Sequence, residues 1–291
     1  MKQAVLLLAH GAPERVEDVE SYLNYVRGGR PGSAQVVEEV RHRYAEIGGA
    51  SPLLLWTRKQ AEGLAARLGI PVFFGMRNWH PFISEVMPRV KEAGIERLAA
   101  ICLAPQYSEL SVGLYIKRTE EAKVAAGVTA EIVWARTFHD EPLLIEAFAE
   151  KLKPVAAGKK VLFTAHSLPE KALANGDPYD RQAHETADLV GRRAGLQSWD
   201  FAYQSQGMTG DKWLGPTVES MLDRYAAEGV REVVADPIGF VCDHVEILYD
   251  IDILFRGYAA GRGISLSRPE TLNDSPTFLA ALAEVARRCL A

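Results

Sequence analysis

One pattern occurs twice in this chain and limits what it can fold into. Val5-Leu-Leu-Leu-Ala-His-Gly-Ala-Pro13 is matched by Val161-Leu-Phe-Thr-Ala-His-Ser-Leu-Pro169. Each reads as a short apolar strand that ends in Ala-His and enters a turn with proline. A continuously apolar strand is buried on both faces, which a parallel sheet covered by helices provides. A second pair of landmarks follows in the same order. Pro81 precedes Gly94-Ile95 by thirteen residues, and Pro216 precedes Gly229-Val230 by the same interval. Each interval carries a helical pattern that stops at glycine and leads into a strand. Two landmarks repeated in one order imply two similar halves.

Apolar runs predict strands at 5–9, 72–75, 98–103, 132–135, 161–164, 201–204, 233–235 and 264–267. Amphipathic stretches lie between them. Ala34–Ile47 is an example, with Ser33 as N-cap, Gly48-Gly49 as stop, and Val36, Val37, Val40, Tyr44 and Ile47 along one face. The expected fold is α/β: two similar Rossmann-like domains, each a parallel sheet flanked by helices, with a cleft between them. The expected division puts 1–142 in the first domain and 143–274 in the second, with a final helix at 275–291 joining the first. A connecting helix is expected over 138–153 and a short linker over 156–160.

Length and composition agree with this. At 291 residues the chain fits two ordinary domains, and 48% hydrophobic with 24% charged residues excludes a disordered chain. A net charge of −5 offers no basic footprint for nucleic acid. No apolar run reaches the ~18–20 residues of a membrane span. The run Ala4–Ala9 is also too short for a signal peptide. Cys102, Cys242 and Cys289 are far apart and odd in number, which suggests a reducing cytoplasm and no disulfide framework.

In open α/β sheets ligands bind beyond the carboxyl ends of the strands. That rule places His10 and His166 at a shared cleft. A strand-end imidazole serves as metal ligand or base, or it caps its loop by hydrogen bonding. Glu246, Tyr249, Asp250 and Ile253 are spaced as one helix face, so two carboxylates there could pass protons or a hydrated cation. The competing reading is that Asp243-x-x-Glu246 is a capping box. Trp213, in the glycine-rich stretch Gly207–Pro216, either stacks on a flat ligand or fills core. The loop Arg27-Gly-Gly-Arg30 and the later Arg43 offer guanidinium forks for carboxylates, unless they are simply solvated. No dinucleotide, P-loop, Gly-x-Ser-x-Gly or His-Glu-x-x-His pattern is present.

Together these segments resemble the ferrochelatases, which insert Fe²⁺ into a porphyrin. The resemblance rests on Thr164-Ala-His-Ser-Leu-Pro169, Gly176-Asp-Pro-Tyr179, Tyr203-Gln-Ser205, Trp213-Leu-Gly-Pro216 and Pro237-Ile-Gly-Phe-Val-Cys-Asp-His-Val-Glu246. It runs from about residue 4 to the C-terminus. The first half is similar to the shorter, soluble coproporphyrin-type members, through Tyr22-x4-Arg27-Gly-Gly-Arg30, Arg43-Tyr44-x3-Gly48-Gly49-x-Ser51-Pro52-Leu53 and Ser111-Val112-x2-Tyr115-x-Lys117-Arg118.

The resemblance implies a lyase of haem biosynthesis with a porphyrin cleft between the domains. His166 and Glu246 become catalytic and iron-site residues. Arg27, Arg43, Tyr44, Ser51, Tyr115 and Trp213 become porphyrin contacts. Iron is then a substrate, with no resident cofactor and no iron–sulfur cluster, and the chain is expected to work as a cytoplasmic monomer. Three departures stand out. His10 replaces the usual tyrosine at the first strand end, which makes it an axial-ligand candidate for iron. Leu254 interrupts the row of acids, and no cysteine set or anchoring tail follows. Coproporphyrin III is the expected substrate. The alternatives are protoporphyrin IX, cobalt insertion into a sirohydrochlorin-type ring (suggested by His10-Gly11), a non-catalytic tetrapyrrole carrier, and a sugar or anion binder.

Overall fold

The structure is a computed structural model in which residues 1–206 and 211–291 are described; residues 207–210 of the glycine-rich stretch lie outside them. All eight expected strands are present, with ends differing by one or two residues. β1 (Gln3–Ala9), β2 (Val72–Met76), β3 (Arg97–Cys102) and β4 (Glu131–Ala135) form one sheet in the order β2-β1-β3-β4. β5 (Lys160–His166), β6 (Asp200–Gln204), β7 (Glu232–Asp236) and β8 (Ser265–Ser267) form a second in the order β6-β5-β7-β8. Every pairing is parallel.

The halves match in detail. Leu8 of β1 pairs with Gly75 of β2, as Thr164 of β5 pairs with Ala202 of β6. The next amide on each neighbour, Met76 and Tyr203, donates to the carbonyl of Pro81 (2.7 Å) and Pro216 (2.8 Å). The two landmark prolines therefore end equivalent strands, and both follow cis peptide bonds.

The helices are α1 (Val19–Val26), α2 (Ala34–Glu46), α3 (Leu53–Leu68), α4 (Ile83–Glu92), α5 (Leu114–Ala126), α6 (Pro142–Ala156), α7 (Glu170–Ala174), α8 (Tyr179–Ala194), α9 (Val218–Ala227), α10 (Val245–Leu248), α11 (Arg256–Ala260) and α12 (Pro276–Leu290). Ser33 caps α2 as expected, its hydroxyl oxygen accepting from the Val36 amide at 3.3 Å. The connecting helix starts at Pro142, four residues later than expected. Phe138 is buried and its amide is bonded to Pro105 O at 3.0 Å, so it belongs to the preceding loop. Glu141 then caps the helix ahead of Pro142, and residues 157–159 remain as linker.

Strand alternation sorts the side chains into layers. Val5 and Leu7 of β1, with Val161, Phe163 and Ala165 of β5, join one central core with α3, α6, α8 and α12. Leu6 and Leu8 face α4 and α5, and Leu162 faces α9 and α11. Each such leucine or phenylalanine contributes roughly 1.5–3 kcal/mol on full burial. α12 packs on α3 and α6 and against β3 and β4. Gly63 of α3 faces α12 there, and a Cβ at that position would displace the Leu279 side chain, 2.5 Å away.

Polar contacts join the segment after β3 to α8 across the two halves. Gln106 Nε2 donates to Thr186 Oγ1 (3.1 Å) and Ile238 O (3.2 Å), and the Tyr107 amide donates to Gln182 Oε1 (2.7 Å). The Ser108 hydroxyl and Glu109 amide both donate to Asp177 Oδ2, at 2.9 and 2.8 Å. These bonds hold the carboxyl ends of β1 and β5 opposite one another across a cleft.

One buried group works against stability. Asp236 ends β7, is 2% exposed, and leaves Oδ2 without a hydrogen-bond partner. Burial pushes its carboxyl up to about 8. A carboxyl raised in the folded state contributes fully below its unfolded value of ~3.9 and loses that contribution as pH rises through the folded value. Asp236→Asn, neutral at every pH, is therefore expected to raise the melting temperature at pH 8. The difference from the parent should shrink towards pH 5, as calorimetry across that range would show.

Candidate active site

The site begins with the two strand-end histidines. His10 Nδ1 lies 3.1 Å from Gly11 O, and His166 Nδ1 lies 2.5 Å from Ser167 O. A backbone carbonyl can only accept, so each Nδ1 carries a proton, and in the neutral ring Nε2 is the nitrogen with the lone pair. For His166 the two readings from sequence are both realised on one ring: Nδ1 caps the loop, and Nε2 is left for chemistry. The turn after β1 also requires Gly11, whose φ is +86° and whose Cβ would meet Trp79 N at 2.7 Å.

His166 Nε2 faces Glu246 Oε2 at 3.6 Å. Glu246 stands in the first turn of α10 and is not part of a capping box. Asp243, the expected box partner, is bonded through its amide to Asn273 Oδ1 (2.9 Å), receives Asn273 Nδ2 (3.0 Å), and pairs with Arg268 (3.2 Å). Glu246 is thus released towards the cleft, and its Oε2 is buried without a hydrogen-bond partner.

The expected single helix face is interrupted. After α10 the chain makes a π-helical turn, Asp250–Phe255, a feature common at functional sites. Asp250 remains beside Glu246, accepting from Ser205 Oγ at 2.6 Å and facing Arg43 at 3.8 Å. Asp252 is turned away to Arg268 (2.8 Å) and Arg256 (3.1 Å).

Charge is distributed unevenly over these groups. Burial opposes ionisation of Glu246; positive charge on the facing imidazoles when they are protonated, His166 foremost, favours it together with the Ser205 hydroxyl, and the carboxyl is held below its usual range. Burial pushes Asp250 up to about 6, against the Ser205 hydrogen bond. Enclosure and the nearby Arg77 guanidinium lower His10 to about 4, so it is neutral at physiological pH. Burial raises the hydroxyls of Tyr22, Tyr44, Tyr115 and Tyr179, which therefore stay protonated. Burial also pushes the Cys242 thiol up to about 12, so it is not a thiolate ligand at neutral pH.

The cleft is open at its mouth, and the space between its walls, open solvent included, is about 1170 Å³. His10, Tyr44, Ser51, Tyr115, His166 and Glu246, all singled out from sequence, line it. Arg27, Arg43 and Trp213 lie outside the lining. Arg27 is exposed where α1 ends. Arg43 bonds Glu39 at 3.0 Å and stacks over Tyr249, so two carboxylates already compete for its charge. Trp213 pairs with Pro169 in a backbone bridge, and Leu214 bonds Leu168 O at 2.9 Å; this stretch fastens a loop.

Tyr22, Ser111, Tyr179 and His244, which stand in the quoted motifs but were given no site role, also line the cleft, and so does Arg77, which no motif contained. Arg77 directly follows β2, so the strand-end rule that finds His10 and His166 finds it too when applied to the neighbouring strand. It stacks over Tyr115 at 4.6 Å and donates to Ser111 O at 3.3 Å.

A divalent cation bound by His166 Nε2 and Glu246 at ~2.1 Å from each would subtend about 118° at their 3.6 Å separation. Among the described residues no group of three or more His, Cys, Asp or Glu side chains is arranged to hold a metal ion. Two donors leave the other coordination positions to water or an incoming ligand, which suits passage of a metal.

A cleft between twin α/β lobes, with an imidazole–carboxylate pair on one wall, fits a metal chelatase. The fold agrees: SirB from Bacillus subtilis, solved with Fe³⁺, superposes with a TM-score of 0.64 at 12% identity, covering 100% of this chain and 96% of that one. The family model described as Ferrochelatase matches residues 2–290, and the chain belongs to the ferrochelatase family. A ferrochelatase of Acidobacterium capsulatum is 46% identical, over 98% of this chain and 94% of its own. Coproporphyrin III ferrochelatases of a Geobacillus species and of Bacillus subtilis are 38% and 35% identical, each over 98% of this chain and 96% of their own. Among the described residues no helix is long and apolar enough to cross a membrane.

The Tyr44 hydroxyl lines the cleft, and it is buried without a hydrogen-bond partner. Tyr44→Phe is expected to leave the melting temperature unchanged or slightly raised. It should weaken porphyrin binding roughly tenfold, the effect of one hydrogen bond to a charged group. Paired melting and fluorescence-quenching titrations would measure both.

Proposed function

We propose that this protein inserts Fe²⁺ into coproporphyrin III with release of two protons, in haem biosynthesis. The observation that carries this reading is the His166–Glu246 pair on one wall of a cleft whose other wall holds His10. Two pyrrole protons must leave as iron enters, and the pair presents two acceptors: His166 Nε2, left free by the Nδ1 contact, and the Glu246 carboxylate. The same two atoms hold Fe²⁺ transiently while it sheds water. Walls that fit a bent ring better than a flat one would favour the transition state, because bending turns the pyrrole lone pairs out of the plane. His10, on the opposite wall, is the axial ligand for the iron of the product.

The substrate reading is supported by relatives named coproporphyrin III ferrochelatase and by donors around the cleft. Tyr44, Ser51, Arg77 and Tyr115 supply hydroxyls and a guanidinium for propionates. Arg27 and Arg43, at the rim, would contribute by side-chain movement. Trp213 is assigned to holding its loop. Iron is substrate in this reading and no cofactor is resident; the three thiols sit in three different packing clusters, which supports the absence of an iron–sulfur cluster. Free cysteines suit a cytoplasmic location, and one chain supplies both walls, so a monomer suffices.

Anaerobic Fe²⁺ insertion, assayed side by side, is expected to favour coproporphyrin III over protoporphyrin IX by about tenfold or more in kcat/KM, the effect of one or two lost charge-assisted bonds. Equal rates would overturn the substrate assignment. His166→Ala and Glu246→Gln are each expected to lower kcat by ~10² or more while coproporphyrin affinity changes little. A carrier would lose no activity by either change.

A further inference from the structure

His10 is clamped at two points by one residue. The Asn78 amide donates to His10 O at 2.9 Å, and the Asn78 side chain lies 3.0 Å from His10 Nε2. On the far side of the ring, Nδ1 is held by Gly11 O, and Tyr22 Oη is also 3.1 Å from it. The proton is on Nδ1, so Nε2 accepts from the Asn78 NH₂ group. The ring's one lone pair is therefore occupied. His166 makes the same Nδ1 contact, but its Nε2 faces a carboxylate instead. The two equivalent histidines differ in what covers the nitrogen able to bind metal.

Asn78 is 6% exposed and is the second residue after β2, next to Arg77, whose amide is bonded to Ala9 O at 2.9 Å. The backbone bonds at Arg77 and at Asn78 itself hold its side-chain amide in place against the imidazole. We infer that Asn78 is a positioning residue that caps His10 Nε2, so that His10 does not capture free Fe²⁺ and coordinates iron only once the metal is in the ring. The step exchanges one contact for another: the N–H···N bond opens, the Nε2 lone pair is donated to iron, and no proton or electron is transferred. Asn78 thereby limits how tightly product is held. This inference rests on the reading of His10 as axial ligand.

Ferric coproporphyrin III is titrated into the full chain and into Asn78→Ala, Asn78→Leu, His10→Ala and the His10→Ala/Asn78→Ala double variant, following the Soret band. Metal-free coproporphyrin III is titrated in parallel. Removing the cap is expected to tighten ferric coproporphyrin about fivefold, the size of one net hydrogen bond. Metal-free affinity should stay unchanged and kcat should fall as product leaves more slowly. His10→Ala should shift the Soret band and erase the Asn78 effect. Asn78→Leu preserves side-chain volume should the alanine variant fold poorly. The inference is overturned if both Asn78 variants bind ferric coproporphyrin as the parent does, or if tightening persists without His10. An unshifted Soret band in His10→Ala alone would instead refute axial ligation, and the inference with it.

Discussion

The chemistry of the cleft depends on one small contact made twice. At the end of β1 and again at the end of β5, a histidine gives its Nδ1 proton to the carbonyl of the residue that follows. This fixes the tautomer and the ring orientation, and it leaves Nε2 as the nitrogen for metal or proton. A strand buried on both faces supplies a rigid base for the ring. The flanking turns differ, and so do the fates of the two nitrogens. One meets a carboxylate freed from helix capping, and the other meets an amide.

The rest of the fold holds those two strand ends at a working separation. Tyr107 and Gln106 are bonded to Gln182 and Thr186 of α8, and Ser108 to Asp177 just ahead of it. α6 and α12 fill the space between the sheets. On the Glu246 wall, the Asp243–Asn273–Arg268 set stabilises the start of α10, and the π-helical turn keeps Asp250 next to Ser205. Glu246 can then remain ionised in a mostly enclosed place, beside His166 and the Ser205 hydroxyl.

The sheets were legible in the sequence because burial on both faces writes itself as continuous apolar runs. His10 and His166 were legible because the Ala-His ending is repeated. Glu246 was visible by spacing, but its freedom from the capping box follows from Asn273, thirty positions from Asp243 in the chain. Arg77 and Asn78 were passed over because the strand-end rule was applied to the central strands and not to their neighbours. The displacement of Arg43 and Trp213 from the lining arises from tertiary contacts, with Asp250, Tyr249 and Pro169, that no local pattern encodes. The π-helical turn was hidden for the same reason: the acidic spacing suits a regular helix equally well.

Crystals soaked with Co²⁺ in place of oxidation-prone Fe²⁺, with anomalous diffraction at the cobalt edge, test the central claim most directly. A single ion between the nitrogen at 166 and the acid at 246, lost in Glu246→Gln, is the predicted result. Cobalt bound first at His10, or no ion between His166 and Glu246 at a concentration that supports turnover, would contradict it.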